Sequence, residues 1–410
     1  MIDSNLEILI AEVLSGQIDI SDFKHIDDKT WYNLFDFAEH QGLSIIVYDI
    51  LKKNKIALPE RITEKMKNVC YNACASDAKR KKQLKYIIRL FNNNGIEHIL
   101  LKGAALISTV YEDSICRTMC DFDILVKDKD GSRAFDLLIK HGYKSIIASS
   151  EEADILKEGF NQHYPQLKKT GCLIIELHTY FSHSYNTNLD EIWSRSKIIN
   201  IGNLKTRVMS DEDMIIHIAL HKFLQHECLD NSLLGLYDIS LIIKNGQINW
   251  NILKLLTYKD EYNNSKCLYV ALELIRTLLK VNIDSRFLAL IKPENISKNT
   301  MAVLKEFLFL NSSEINSNAF KLGYYFYNSK STVLKGLFFH PQKMALYGKY
   351  KFGKGNLTFI NLSILYLKRI ATLAKRYAGT FGRQLFFKRN DNYSVELGKK
   401  AAELKYWLAG

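Results

Sequence analysis

The chain encodes an α+β fold, a small mixed sheet set between helical regions. Three observations predict it. Apolar residues recur three and four apart through the first ninety or so positions and again beyond Ser210. Between them lie short β-type runs that alternate with a helix-like segment. The run DFDILV at 121–126 places Asp121 and Asp123 on one strand face and Phe122, Ile124 and Val126 on the other.

In chain order, LEILIAEVL, WYNLFDFAEHQGLSIIVYDILKK and the long ERITEK–KYIIRLF segment read as helices, split by Gly42 and Pro59. Asp28 or Thr30 is the expected cap of the second helix. KRKKQLK at 79–85 reads as a solvated face of the third. HILL, DFDILV, YKSIIA, HYPQLKK and CLIIELHTY are the expected strands; DGSRAFDLLIKHGY is a helix stopping at Gly142, and KKTG at 168–171 a hairpin turn. Ser210 and the acids after it open a further helix, DEDMIIHIALHKFLQHE. LLGLYDISLIIK, NILKLLTYKDEYNN and SKCLYVALELIRTLLK follow in the same style, and two basic helices are expected at 358–378 and 394–409. The resulting division is an N-terminal helical region (1–92), a sheet core (93–205), a helical domain (206–330) and a basic C-terminal extension (331–410), consistent with a 410-residue length.

Composition narrows the class. With 47% hydrophobic and 24% charged residues the chain is an ordinary globular one. Its acidic start, MIDSNLEILIAEVL, lacks the basic flank of a secretory leader, and no apolar run approaches the roughly 18 residues of a spanning helix. Seven cysteines without a Cys-x-x-Cys pair argue against a disulfide framework or a four-thiolate zinc site. A cytoplasmic protein without a transmembrane segment is the expectation. The net charge of +12 is concentrated at one end: Lys343 to Lys405 holds fourteen Lys or Arg against Asp391, Glu396 and Glu403. That extension is open to three readings: a peripheral membrane contact, a nucleic-acid contact, or a helix packed on its own protein.

The chemistry is concentrated in HILLKGAALISTVYEDSICRTMCDFDILV, residues 98–126. Carboxylates two apart on a strand lie about 7 Å apart along the backbone and can converge on a divalent ion. Phosphoryl and nucleotidyl transfer use such sites because charge builds on phosphate oxygens that paired metals stabilise. The later run CLIIELH offers a third carboxylate, Glu176, on the same face as His178. Lys102-Gly103-Ala104 lies between a strand and a helix, where helix N–H groups and Lys102 would hold phosphates. Arg117 adds positive charge there, or else pairs with Glu112 or Asp113 on the surface.

The set LLKGAAL, Tyr111, Arg117, DFDILV, GY, IELH, HIALH and YD resembles the uncharacterised bacterial nucleotidyltransferase family of the polymerase-β-type superfamily, over roughly residues 30 to 260. The resemblance implies a nucleotidyltransferase-like core with Asp121, Asp123 and Glu176 as metal carboxylates, two magnesium ions, and a nucleoside triphosphate such as ATP as substrate. It makes His178, His221 and Asp238 motif positions open to a substrate role. The wider superfamily carries Gly-Ser or Gly-Gly in the turn and its Asp pair about a dozen residues on. Here the turn is Gly103-Ala104, and Asp121 follows Gly103 by 18 positions.

Look-alikes carry less. His217 and His221 are four apart as in zinc proteases, but Ile218 stands where the catalytic Glu belongs. GKYKFGKG at 348–355 ends in Gly355, not the Ser or Thr of a P-loop. The expected function is a metal-dependent nucleotidyltransferase acting on a hydroxyl of a small molecule, sugar, glycan or protein. The alternatives are a non-catalytic binding or regulatory protein of the same fold, or an RNA-directed enzyme using the basic tail.

Overall fold

The computed structural model describes residues 4–145, 164–180, 189–225, 233–258, 265–294, 296–310 and 391–409, with isolated positions between 320 and 371. At its centre is a five-stranded sheet of order β3-β2-β1-β5-β4. The strands are β1 (His98–Leu100), β2 (Asp121–Val126), β3 (Ile174–His178), β4 (Lys197–Ile201) and β5 (Leu204–Val208). β2 is antiparallel to β1 and parallel to β3, while β1 is parallel to β5. The sheet is therefore mixed, and with its surrounding helices the fold is α+β. HYPQLKK contributes only isolated bridges at Leu167 and Lys168, around a turn where Gly171 takes φ +75°. YKSIIA contributes Lys144, the partner of Lys168, and residues 146–148 lie outside the described residues.

The β4–β5 hairpin is absent from the strands expected above. Its signal is Gly202-Asn203, a two-residue turn between KIINI and LKTRV. β4 is an edge strand exposed along most of its length, so its sequence lacks the apolar contrast that marks a half-buried strand.

Helices α1 (Ser4–Ser15), α2 (Ile20–Phe23), α3 (Asp28–His40), α4 (Ser44–Lys53) and α5 (Glu60–Asn93) precede the sheet. The cap of α3 is Asp27, whose carboxylate accepts from Thr30 N at 2.8 Å. The helix thus opens one residue earlier than expected, and Asp28 sits in its first turn, favourably placed for the helix dipole. The solvated reading of 79–85 is also corrected, because Arg80, Gln83 and Leu84 are buried. They continue the inner stripe of α5 formed by Ile62, Met66, Asp77, Ile87, Ile88 and Phe91. Polar side chains interrupt this stripe, which is why it reads as surface.

Three helices connect the strands: α6 (Lys102–Thr109) between β1 and β2 and α7 (Asp128–Lys140) between β2 and β3, both packed on β2, and α8 (Leu189–Arg195) between β3 and β4; α9 (Asp211–Leu220) follows β5. Ser210 caps α9 as expected, accepting from Asp213 N at 3.1 Å. A π-helical turn at His221–Gln225 follows, then α10 (Leu234–Asn245), α11 (Trp250–Tyr258), α12 (Ser265–Leu278), α13 (Ser285–Ile291) and α14 (Lys298–Leu308). α12 is buried on nearly all sides and packs against α1, α9, α10, α11 and α13. The N-terminal helices join this layer through Phe37, stacked on Phe309 at 5.6 Å, and through Gln41. Gln41 donates to Leu308 O and accepts from Leu233 N.

The last helix, α15 (Asp391–Ala409), buries Leu397, Ala401, Ala402, Leu404 and Leu408. Lys266 Nζ donates to Trp407 O at 2.8 Å. Residues 394–409 thus pack one face of the helix on the chain itself. The P-loop look-alike at 348–355 and most of 358–378 lie outside the described residues. Among the described residues no helix is long and apolar enough to cross a membrane.

Candidate functional site

β1 ends at Leu100 and α6 begins at Lys102, so one residue separates strand from helix. Leu101 N donates to Asp123 O at 3.1 Å, carrying the β1–β2 ladder up to the turn. Lys102 then adopts φ +44°, the left-handed region that costs a residue with a side chain about 1 kcal/mol. Its ammonium reaches Asp123 Oδ1 at 3.0 Å. Gly103 is not the left-handed residue of the turn. It is buried against Met119, whose Cε would lie 2.9 Å from an added Cβ. Ala104 is buried behind it, and α6 opens without a side-chain cap.

The acidic face is set by strand register. β2 and β3 run parallel with Asp123 opposite Glu176 and Leu125 opposite His178. Ile175 and Leu177, on the other face, are fully buried. Asp123 Oδ1 also accepts from His178 Nε2 at 2.8 Å. An ionised carboxylate only accepts, so the imidazole carries its proton on that nitrogen. Glu176 Oε1 accepts from Gln166 Nε2 at 2.7 Å. Candidate ligand atoms of Asp123, Glu176 and His178 lie within 4.8 Å of one another. Asp121 begins the same face, outside that close group.

The electrostatics separate the two aspartates. Burial pushes Asp121 up to about 6, with Asp123 and Glu176 adding to the rise. Burial works against the charge of Asp123 too, but Lys102 and His178 outweigh it and hold that carboxyl well below the usual range. Behind them lies His217, on α9. Burial, then the Lys102 ammonium, lower it well below the ordinary histidine value, so it is neutral at pH 7. His217 is thus a neighbour of the acidic cluster, which its spacing to His221 did not reveal; the two rings are 6.3 Å apart.

Arg117 pairs neither with Glu112 nor with Asp113. It forms a buried fork with Asp238 of α10, Nε to Oδ1 at 2.9 Å and Nη2 to Oδ2 at 2.8 Å. Tyr111 donates its hydroxyl to Asp238 Oδ1 at 2.7 Å. Asp238 is therefore engaged on both oxygens. Its partner is 121 positions away in sequence, beyond what spacing can reveal.

The turn carrying Arg117 is held from below by Arg80 of α5. Arg80 donates to Asp77 Oδ1 at 2.6 Å, to Arg117 O at 2.7 Å, and to Ser114 O. Asp77 also accepts from Ser114 Oγ at 2.8 Å. Arg80→Met would remove the donor to both carbonyls and leave Asp77 with only Ser114 and Lys81, and it is expected to cost about 2–4 kcal/mol in denaturant unfolding.

Of the residues the sequence nominates, Lys102, Asp123, Glu176 and His178 meet directly, and Asp121 joins them along β2. Gly103 and Ala104 build the adjoining turn. Arg117 and Asp238 form a pair beside it, and His221 lies in the π-helical turn after α9. Gln166, Arg80 and His217 are supports that sequence reasoning did not find. The donor set suits a small divalent cation: carboxylates with one imidazole, spanning a distance that one ion can bridge with modest closure.

The fold is thus α+β, a mixed sheet with an acidic cluster beside a strand–helix turn. The chain belongs to the uncharacterised nucleotidyltransferase family, whose pattern matches residues 27–280. Among solved structures it is similar to an antigenic nucleotidyltransferase-like protein from Paracoccidioides brasiliensis, at 16% identity and a TM-score of 0.35, over 50% of this chain and 93% of that one. No curated protein matches it.

Proposed function

We propose that the protein is a metal-dependent enzyme moving a nucleotidyl group from a nucleoside triphosphate to a hydroxyl of a small-molecule, sugar, glycan or protein acceptor. The observation that carries this reading is the register of β2 on β3, which sets Glu176 directly opposite Asp123 beside the Lys102 turn. Asp121, Asp123 and Glu176 hold the divalent cations, two magnesium ions by the superfamily pattern. Bound there, the cations supply charge neutralisation on the phosphate oxygens.

The chain's own groups do the rest. His178 fixes one oxygen of Asp123, leaving the other for a ligand. Gln166 orients Glu176, which takes the proton of the attacking hydroxyl as its oxygen bonds to the α-phosphorus and pyrophosphate departs. Lys102 and the first N–H groups of α6 receive the phosphates.

The test is incubation with labelled nucleoside triphosphates, magnesium and a cell extract. A labelled species made by the wild type, and not by Asp121→Asn/Asp123→Asn, is expected. Ala104 puts a buried methyl where the superfamily has Gly or Ser, which favours a second reading: a binding or regulatory protein that keeps the fold without the reaction. Metal–nucleotide binding by calorimetry with no labelled product from any extract would select that reading and end the first.

A further inference from the structure

We infer that Lys102 is an exchangeable counter-ion: it neutralises Asp123 while no divalent cation is bound and passes to the nucleotide phosphates when cation and nucleotide load together. The inference rests on the nucleotidyl-transfer reading of the site and adds to it a coupling between cation and nucleotide.

Asp123 is buried, and a buried carboxylate needs a compensating charge or donors. Lys102 and His178 provide them, both at Oδ1. A cation gathered by Asp123 and Glu176 would stand within a few ångströms of the Lys102 ammonium, and like charges that close repel strongly in a site shielded from water. Lys102 therefore opposes cation binding for as long as it stays on Asp123.

It is also the group best built to leave. A single bond to one oxygen holds its ammonium, which ends a flexible four-carbon stem. Arg117 is held by a fork to Asp238 and by Thr118 O, so moving it would break a buried pair. The left-handed backbone at Lys102 roots its side chain in the turn itself, between Asp123 and the start of α6. A triphosphate lying on that helix start offers the ammonium a new anion as the metal takes its place. Cation and nucleotide then bind cooperatively, each removing the obstacle to the other.

The experiment is calorimetric titration of manganese chloride, alone and with non-hydrolysable triphosphate analogues of the four nucleosides, into wild type, Lys102→Met and Lys102→Arg. The wild type is expected to bind manganese alone weakly and at least about tenfold more tightly with nucleotide. Lys102→Met is expected to bind manganese alone at least about tenfold more tightly than wild type, with the coupling to nucleotide largely lost. Lys102→Arg keeps the charge and should behave as wild type. If Lys102→Met does not fold in a melting experiment, Lys102→Gly, suited to φ +44°, takes its place.

Manganese binding alone that is equal in wild type and both neutral variants, with metal–nucleotide binding intact, would overturn the exchange and leave the transfer reading standing. Tight binding of manganese alone by the wild type would do the same. Failure of every protein to bind manganese or nucleotide in any combination would overturn both.

Discussion

Asp121→Asn and Asp123→Asn are each expected to lower transfer on the order of a thousandfold, yet to move stability in opposite directions. Asp121 titrates at about 6 in the folded protein because burial, then Asp123 and Glu176, disfavour its charge. An unfolded aspartate titrates near 3.9. The folded state therefore binds the extra proton between about pH 4 and 6, and stability falls as pH rises through that window. Above it the cost is complete. The difference corresponds to roughly 3 kcal/mol, which solvent screening at this partly exposed group reduces to about 1–2 kcal/mol. Asn has no charge to desolvate, so Asp121→Asn should be the more stable protein at pH 7.5, with the gap closing below pH 4.

Asp123 behaves in reverse. Its carboxyl is held well below the usual range, so its contribution is present at neutral pH and is lost only as strong acid brings pH down through that depressed value. Asp123→Asn leaves the Lys102 ammonium without a counter-charge and is expected to cost about 3 kcal/mol. Denaturant unfolding of both variants at pH 5 and pH 7.5 measures the contrast. An Asp121→Asn protein weaker than wild type at pH 7.5 would contradict the placement of that carboxylate.

The second large effect is at Arg117 and Asp238. Asp238 is buried and Arg117 partly so, and the two are joined by a fork. Removing one partner strands a charge, so Arg117→Met or Asp238→Leu alone should each cost about 3–5 kcal/mol. Removing both together should recover part of that loss, because no charge is stranded and the Tyr111 hydroxyl is what loses its acceptor. A double-mutant cycle by urea unfolding reads the coupling directly. Additive losses would show that the pair does not act as a unit. The cycle also bears on transfer, since Arg117 lies close enough to Asp121 to favour its charge.

The parts of the site legible in sequence are those fixed by local periodicity. Alternation in DFDILV and CLIIELH set Asp121, Asp123, Glu176 and His178 on their faces, and the parallel register of the two strands brings them together. Lys102 was legible as a turn residue, but not as the one that takes the left-handed backbone, because Gly103 beside it is the residue that region favours. Arg80 and Gln83 were misread because a charged run on a helix normally faces water. Here α5 passes under the 114–117 turn and the start of β3, and those polar groups satisfy backbone that would otherwise be orphaned: Gln83 donates to Leu173 O and accepts from Leu173 N. The Arg117–Asp238 pair was beyond reach because nothing local links the two positions. The β4–β5 hairpin was missed because an exposed edge strand carries little apolar pattern.

Gln41 and Phe37 lock onto Leu233, Leu308 and Phe309, positions that leave the ribosome much later than α3 does. At about 5–20 residues per second, some 250 further residues take roughly 10–50 s to appear. During synthesis α3 therefore waits with part of its apolar flank uncovered. A nascent chain of this kind is a natural client for chaperones that shield greasy surfaces until the closing segment arrives.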